Sequence, residues 1–442
     1  MSTNSRFADH WKFDARLNTV LSDGSAAGEN ADCSPPSSGL FEGIDIWFHP
    51  VDAKGCAPAL VADDGISGFL VDDAIANVHY ERYMMACGAA TTRESLLKRA
   101  YYLAKPLLPR ALQLNLQRIN AFSRLRQECF PRWPFDDSVP DLLRACLAHL
   151  MRSTGVSRIP FIGFWPRGCS WAACFTHDID TAVGLSALDR MLAVEEELKA
   201  RSTWYFVPEK RYKVPESLLR QLVRLGHEVG VHGLDHGPNL FSSEKYFVNA
   251  AQRINSYIDE WQAVGFRSPA LYRNPDWLKH LKVSYDSSFM DVATLEPQRG
   301  GVSAPFPYHI GDIIEVPITM PMDHHVINLL RGDVISSMRD KFDHVTGIHG
   351  LACFLFHPDY NREEERLAAY KAVFENVLAT PGGWVTTAGE AADWWQRRHE
   401  SSLVQDGDRA VVAGPAEPDA AIWHAELDGH SVIIVPDDCG SQ

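Results

Sequence analysis

WAACFTHDID, residues 171–180, sets a short apolar run against two aspartates spaced two apart. A run of this kind suits a buried strand, in which alternate side chains share a face. Asp178 and Asp180 then point to one side, and His177 and Ile179 to the other. Two close carboxylates repel each other unless a cation or a proton lies between them. A helix N-cap, a position aspartate favours, would account for one of the pair but not for both.

Working outward from this strand, the same rhythm continues. STWYFVP (202–208) and HEVGVH (227–232) read as strands, separated by VPESLLRQLVRLG (214–226), a helix ending at Gly226. SSEKYFVNAAQRINSYIDEWQAVG (242–265) opens on a serine cap and is predicted to end at Gly265. DIIEVPI (312–318), LACFLFH (351–357) and GWVTT (383–387) are further strands. EEERLAAYKAVFENVLATPG (363–382) is a helix with Leu367, Tyr370, Phe374 and Val377 on one face. Strands alternating with helices over about 240 residues point to an α/β fold with a parallel sheet, and the length favours a distorted (β/α) barrel of about seven strands. In such barrels the chemistry sits where strands end and loops begin.

The remainder reads differently. Residues 1–40 include a Ser-, Gly-, Pro- and Ala-rich stretch and read as a flexible segment. Residues 41–158 form a mixed, mainly helical region, 159–400 the barrel, and 401–442 a small β-hairpin appendage around Asp428-Gly429, a strong turn signal. The chain has 442 residues and a net charge of −15, which argues against a general nucleic-acid partner. No run of about 18 apolar residues suggests a membrane-spanning helix, and the start lacks the apolar core of a signal peptide. Nine scattered cysteines without a C-x-x-C pair fit reduced thiols and a cytoplasmic location. Between Leu97 and Gln127 there are seven Lys or Arg and no acid, with Leu112, Leu116, Ile119 and Phe122 at helical spacing. This is either a helix packed on its neighbour with a solvated basic face, or an amphipathic helix making peripheral contact with the inner membrane face.

A second polar cluster, GHEVGVHGLDHG (226–237), carries His232 and His236. Histidines four apart share a face on one helical turn, although the glycines and the preceding strand suggest a turn or a short helix start here. The alternative is that both are ordinary hydrogen-bonding histidines; His227 and Asp235 are lesser candidates nearby. Taken with Asp180, the two imidazoles make a common ligand set for a catalytic divalent metal with open positions. One carboxylate cancels one of the two metal charges, so water at such a centre is acidified. Asp178, left uncoordinated, is placed to take a proton. Farther on, FRSP carries Arg267, YDSSF carries Asp286, and CFLFHPDY carries His357 at the end of a very apolar strand. Arg267 is equally an ordinary structural ion-pair partner. His357 is either a strand-end hydrogen bonder or an acid able to protonate a leaving amine. Trp204, Tyr205, Tyr272, Trp277 and Tyr360 either stack on sugar rings or pack in the core, and Trp204 reads as core.

In this order and spacing, FTHDID, STWYFVP, GHEVGVHGLDH, FRSP, YDSSF and FLFHP resemble the polysaccharide deacetylases, carbohydrate esterase family four, over roughly 165–400. The resemblance implies metal-dependent hydrolysis of an N-acetyl group from a sugar. It implies Asp178 as general base, Asp180, His232 and His236 as metal ligands, Arg267 as the residue orienting the base, and His357 as general acid. It implies zinc, with cobalt or nickel as alternatives, and a carbohydrate substrate, polymeric or lipid-linked. The chain departs from the family pattern at three places. Ile179 separates aspartates that are usually adjacent, a D-x-D variant shared with hydrolases of other C–N bonds such as ureides, cyclic imides and formyl groups. His177 replaces an aromatic residue. RSPAL lacks the glycine that often ends the arginine motif. The flanking regions look like those of deacetylase-like proteins from bacterial surface-polysaccharide gene clusters. A non-catalytic glycan-binding relative is the third reading.

Overall fold

The computed structural model describes residues 6–12, 68–86, 109–126, 130–406 and 409–436. Most of the segment read as flexible, and residues 97–108 of the basic stretch, lie outside them. The chain divides into two compact units, Met1–Thr91 with Asp137–Cys169 and Gln396–Gln442, and Thr92–Asp136 with Ser170–Trp395.

Among its described residues the first unit combines the helices Arg6–Trp11, Gly68–His79 and Ser138–Thr154 with strands. Arg158–Ile162 pairs antiparallel with Ile422–Asp428, which pairs in turn with Ser431–Pro436. The hairpin read around Asp428-Gly429 is present, with Gly429 in the left-handed region that its tight turn requires. The strand Arg158–Ile162 was not anticipated beside it. Trp11 packs edge-on against Phe161, and Arg398, fully buried, donates to Ile162 O and His10 O at 2.8 Å each.

The second unit is built on a sheet of nine strands. These are β1 (Trp171–Ile179), β2 (Thr203–Phe206), β3 (Glu228–His232), β4 (Gly265–Arg267), β5 (Tyr285–Asp286), β6 (Tyr308–Ile310), β7 (Ile313–Glu315), β8 (Leu351–Phe356) and β9 (Gly383–Thr386). Pairing runs parallel from β1 through β2, β3, β4 and β5 to β7, and only β6 is antiparallel. β8 pairs with the other edge of β1, and β9 with its beginning. After β7 the chain returns to β8, where the amides of Thr319 and Met320 donate to Cys353 O at 3.3 and 3.2 Å. The curled sheet thus forms the distorted α/β barrel that the alternation predicts.

The two-residue period of β1 sorts its side chains. Ala173, Phe175 and Ile179 join the apolar layer beneath the helices Ala182–Leu198, Glu216–Arg224, Val334–Gly347 and Glu364–Ala379. Phe175 stacks on Phe374 and Phe354 with ring centroids 3.6 and 4.4 Å apart. Thr176 and Asp178 face the other way. There the barrel is filled by Tyr205 and Tyr285, whose hydroxyls lie 2.6 Å apart. Two strand glycines make the room: a Cβ at Gly230 would lie 2.4 Å from the Tyr205 ring, and one at Gly265 2.0 Å from that of Tyr285.

Two local expectations differ. The helix opened by Ser243, whose hydroxyl accepts from the Tyr246 amide, spans Glu244–Trp261 and ends on a left-handed Gln262, three residues before Gly265. The basic segment is a helix, Arg110–Leu125, but Leu112, Leu116, Ile119 and Phe122 are exposed, so its apolar stripe is not its packing face. No described helix is long and apolar enough to cross a membrane.

Candidate active site

The ends of β1, β3, β4 and β8 bring together the six residues singled out from the sequence. Asp178 and Asp180 lie on one side of the chain, as strand geometry requires. Asp180 Oδ1 sits 3.0 Å from His236 Nε2 and 3.3 Å from His232 Nε2, and Asp178 Oδ2 is 3.6 Å from His232 Nε2. Candidate ligand atoms of Asp180, His232 and His236 all fall within 4.8 Å of one another. The histidines do not share a helical turn. His232 closes β3, and His236 is swung back by a bend in which it takes a φ of 53°. Asp235 Oδ1 accepts from the Gly237 amide at 2.9 Å, and Arg211 Nη2 donates to His236 O at 3.0 Å, fixing that bend. Gly233, at a φ of 61°, admits the turn where a Cβ would lie 2.5 Å from Pro269.

The donor chemistry fits a divalent ion. Arg267 O is the partner of His232 Nδ1 at 3.0 Å, so Nδ1 carries the proton and Nε2 offers its lone pair to the centre. The same carbonyl accepts from the Gly233 amide at 2.9 Å. Burial works to lower the pKa of His232, but the carboxylates of Asp178 and Asp180 outweigh it and raise the value. Burial works to raise that of Asp180, but His236 and His232 pull it well below the usual carboxylate range. Arg267 offsets the charge of Asp178, so the Asp180 carboxylate between His232 and His236 is the negative charge left to suit a cation.

Arg267 lies on the barrel side of Asp178, fully buried. Its Nη1 donates to Asp178 Oδ1 at 3.2 Å and to Thr176 Oγ1 at 2.7 Å, its Nε to Ser287 O at 2.8 Å, and its Nη2 to Ser287 Oγ at 2.7 Å. The guanidinium stands 4.4 Å over the Tyr205 ring. Where RSPAL lacks the glycine, Ala270 and Leu271 take left-handed φ values of 51° and 49°. That conformation costs L-residues about 1–2 kcal/mol each. Asp286 is not at the centre. It is buried beside Glu315, accepts from Ser288 Oγ at 2.7 Å, and has its pKa raised by burial. Ser288 Oγ in turn accepts from the Ser268 amide at 2.9 Å, so Asp286 braces the arginine loop.

His357 follows β8, and its partner was not anticipated. Asp323 Oδ1 lies 2.7 Å from His357 Nδ1, and its Oδ2 accepts from the His357 amide and from Asn361 Nδ2, each at 2.7 Å. Burial works to lower the pKa of His357, but Asp323, with smaller contributions from Asp180 and Asp178, raises it to about 10. Thr176, Ser287, Asn361 and Asp323 all escaped the sequence reading. Only Asp323 left a signal there, a carboxylate ending the apolar stretch Ile318–Met322 as Asp178 nearly ends β1.

His177, which stands where an aromatic is usual, points away from the site. It stacks on Trp204 at a centroid distance of 4.0 Å and lies 3.2 Å from Glu195 Oε1. Glu195 also accepts from Ser202 Oγ at 2.7 Å and from the Tyr370 hydroxyl, and His227 Nδ1 is 3.5 Å away. Burial pushes the Glu195 carboxyl up to about 8 and His227 down to about 4. Trp204 is core, as read. Trp277 packs on Phe241 and Phe247, whereas Tyr360 lies near both His357 and His324.

Residues 174–283 match the family model described as polysaccharide deacetylase. Among solved structures, a putative polysaccharide deacetylase from Mycobacterium smegmatis is 20% identical, with a TM-score of 0.44, covering 55% of this chain and 96% of its own. A probable polysaccharide deacetylase from Pseudomonas aeruginosa PAO1 is 14% identical, with a TM-score of 0.42, covering 53% and 94%. The peptidoglycan deacetylase PdaC from Bacillus subtilis is 14% identical, with a TM-score of 0.35, covering 52% and 93%. No curated protein matches.

Proposed function

We propose that this chain, whose residues 174–283 are of the polysaccharide deacetylase family, is a divalent-metal-dependent hydrolase that removes an N-acetyl group from a sugar of a bacterial surface polysaccharide or its precursor. The observation that carries the reading is the convergence of Asp180, His232 and His236, with Asp178 held by Arg267 on one side and His357 held by Asp323 on the other. An ion bound by those three residues, zinc as first choice and cobalt or nickel as alternatives, would polarise the acyl oxygen and acidify water.

The chain's own groups supply the proton traffic. An amide resists hydrolysis because water is a weak nucleophile and an amine a poor leaving group. Asp178 accepts the proton of the attacking water through the oxygen that Arg267 does not occupy. Arg267, itself tied to Thr176 and Ser287, fixes the direction of that carboxylate. His357 delivers a proton to the departing nitrogen from Nε2, because Asp323 holds Nδ1. Each such step contributes about a hundred- to ten-thousand-fold. Tyr360, beside His357, is the aromatic residue placed to meet a sugar ring. We place the protein in the cytoplasm, acting on a carbohydrate that is polymeric or lipid-linked.

Metal-loaded protein incubated with an N-acetylated chito-oligosaccharide is expected to release acetate, and chelation is expected to stop it. Ile179 between the aspartates favours one rival, hydrolysis of another non-peptide C–N bond. Turnover of a ureide, cyclic imide or formyl amide with no acetate release would select it.

A further inference from the structure

His324 has no part in the proton traffic proposed above, yet it stands beside it. It follows Asp323 directly and opens the π-helical turn His324–Leu330. Turns of that width are rare and are frequent at functional sites. This one is pinned along its length. Asp323 Oδ1 accepts from the His324 amide at 2.7 Å, His325 Nε2 lies 2.6 Å from Glu296 Oε1, and Arg118 Nε donates to Asn328 O at 2.7 Å. Leu329 packs with Ala121 and Leu295.

The His324 ring is oriented as well. Asn328 Nδ2 lies 3.2 Å from His324 Nδ1. An amide nitrogen only donates, so Nδ1 accepts and the ring proton sits on Nε2. Burial, with His325 and His357 close by, holds the pKa of His324 down to about 4, so at neutral pH the ring is uncharged beside a charged His357. Nε2 has no partner among the described residues and stays open to solvent. A donor locked at one end by the protein and open at the other is pre-organised for a ligand.

The neighbouring ring indicates the class of ligand. The His324 and Tyr360 rings lie 5.3 Å apart, inclined at 32°, and the Tyr360 and His357 rings are also 5.3 Å apart. Tyr360 thus stands between the proposed acid and the open donor, and both it and His324 are half-buried. An aromatic face with a polar group at its edge fixes the orientation of a ring that is apolar on its face and polar at its rim. A pyranose has that character. An uncharged donor suits an uncharged oxygen, whereas a carboxylate or phosphate on the sugar would be met better by a cation.

We propose that His324 is a specificity-determining residue whose Nε2–H donates to a hydroxyl oxygen of a neutral sugar unit seated on Tyr360, the unit that bears the nitrogen addressed by His357. The inference rests on the carbohydrate part of the reading above and not on turnover.

The test measures binding and kinetics in the whole protein. An N-acetylated chito-oligosaccharide is titrated calorimetrically into the chelated protein, and acetate release is followed in the metal-loaded protein. His324→Phe keeps a ring against Tyr360 and removes the donor. It is expected to weaken binding at least about tenfold and to raise KM by a like factor with kcat unchanged. His324→Gln supplies an amide donor again and is expected to regain most of the affinity. The alkaline limb of kcat/KM, which reports His357, is expected to stay in place in both variants. Binding and KM that His324→Phe leaves unaltered overturn the proposal. So does a fall in kcat with a shifted alkaline limb, which assigns His324 to the support of Asp323 and His357 instead. Glycan binding that His324→Phe weakens, without acetate release, upholds the proposal and defeats the hydrolase. Acetate release indifferent to the variant does the reverse, and an unaltered protein that neither binds nor deacetylates the glycan overturns both.

Discussion

Replacing Asp323 by Asn removes the anion that holds His357 while nearly preserving shape. All four groups around the carboxylate are donors: the His357 amide and Nδ1, Asn361 Nδ2 and the His324 amide. Asn offers one oxygen and one NH₂, so two buried donors lose their acceptor, at about 1–3 kcal/mol each at any pH. A pH-dependent part adds to this. His357 stands at about 10 in the folded protein, against about 6.5 in an unfolded chain. The raised value means that its contribution is complete below pH of about 6.5 and is lost as pH rises through about 10. The full span is worth about 5 kcal/mol, an upper bound for Asp323 because Asp180 and Asp178 share in it. Denaturant unfolding of the chelated protein should therefore show a stability gap between wild type and Asp323→Asn that is widest below pH of about 6.5 and narrows toward pH of about 10 to the pH-independent cost of the two orphaned donors. In turnover, a His357 returned to about 6.5 would be protonated in only about 3% of molecules at pH 8 and about three-quarters at pH 6, so the loss in kcat/KM should be about twenty-fivefold greater at pH 8 than at pH 6. A stability gap and a rate ratio that are both flat with pH would refute the pairing as the source of His357's basicity.

The other expectations concern separate groups. Asp178→Asn should bind metal as the wild type does, by isothermal titration, yet lose about a hundredfold or more in acetate release, whereas His232→Ala should lose both. Arg267→Lys keeps the charge but reaches fewer of the Asp178, Thr176 and Ser287 oxygens; kcat should fall at least about tenfold and the protein should be less stable by about 3 kcal/mol, read by thermal denaturation. Glu195 is held at about 8 by burial, so the folded chain keeps a proton that the unfolded one releases, and stability falls as pH rises from about 4.5 to 8. Glu195→Gln should flatten that fall by up to about 5 kcal/mol, and an unchanged slope in unfolding between pH 5 and 8 would place the proton elsewhere.

The barrel was legible because its signals are local. Strand runs, caps such as Ser243 and the period of β1 depend on neighbours in sequence, and they also fixed which way Asp178, Asp180 and His177 point. The proposed ligand triad was legible in composition and partly in geometry. Four-residue spacing fits a shared helical turn for His232 and His236, but the glycines beside them pointed to a turn or a short helix start, and a left-handed bend at His236 is what the structure has. The supports of the site were hidden because each is a long-range pair: Asp323 lies 34 positions from His357, and Ser287 lies 20 from Arg267. Glu195 occupies the apolar stripe Leu188–Met191–Leu192 at the next helical step, a visible oddity whose partners His177, His227 and Tyr370 come from three other elements. For the helix Arg110–Leu125 the period was right but left two directions open, and the structure turns the stripe away from the body, because periodicity does not say which stripe packs.

Every proposed step depends on a single divalent ion held by Asp180, His232 and His236. A crystal soaked in zinc and measured at the zinc absorption edge tests it directly. One strong anomalous peak is expected, with the two histidine nitrogens and the Asp180 oxygen at about 2.0–2.2 Å. Ordered density for all three side chains with no peak between them, or a peak bound without them, would contradict it.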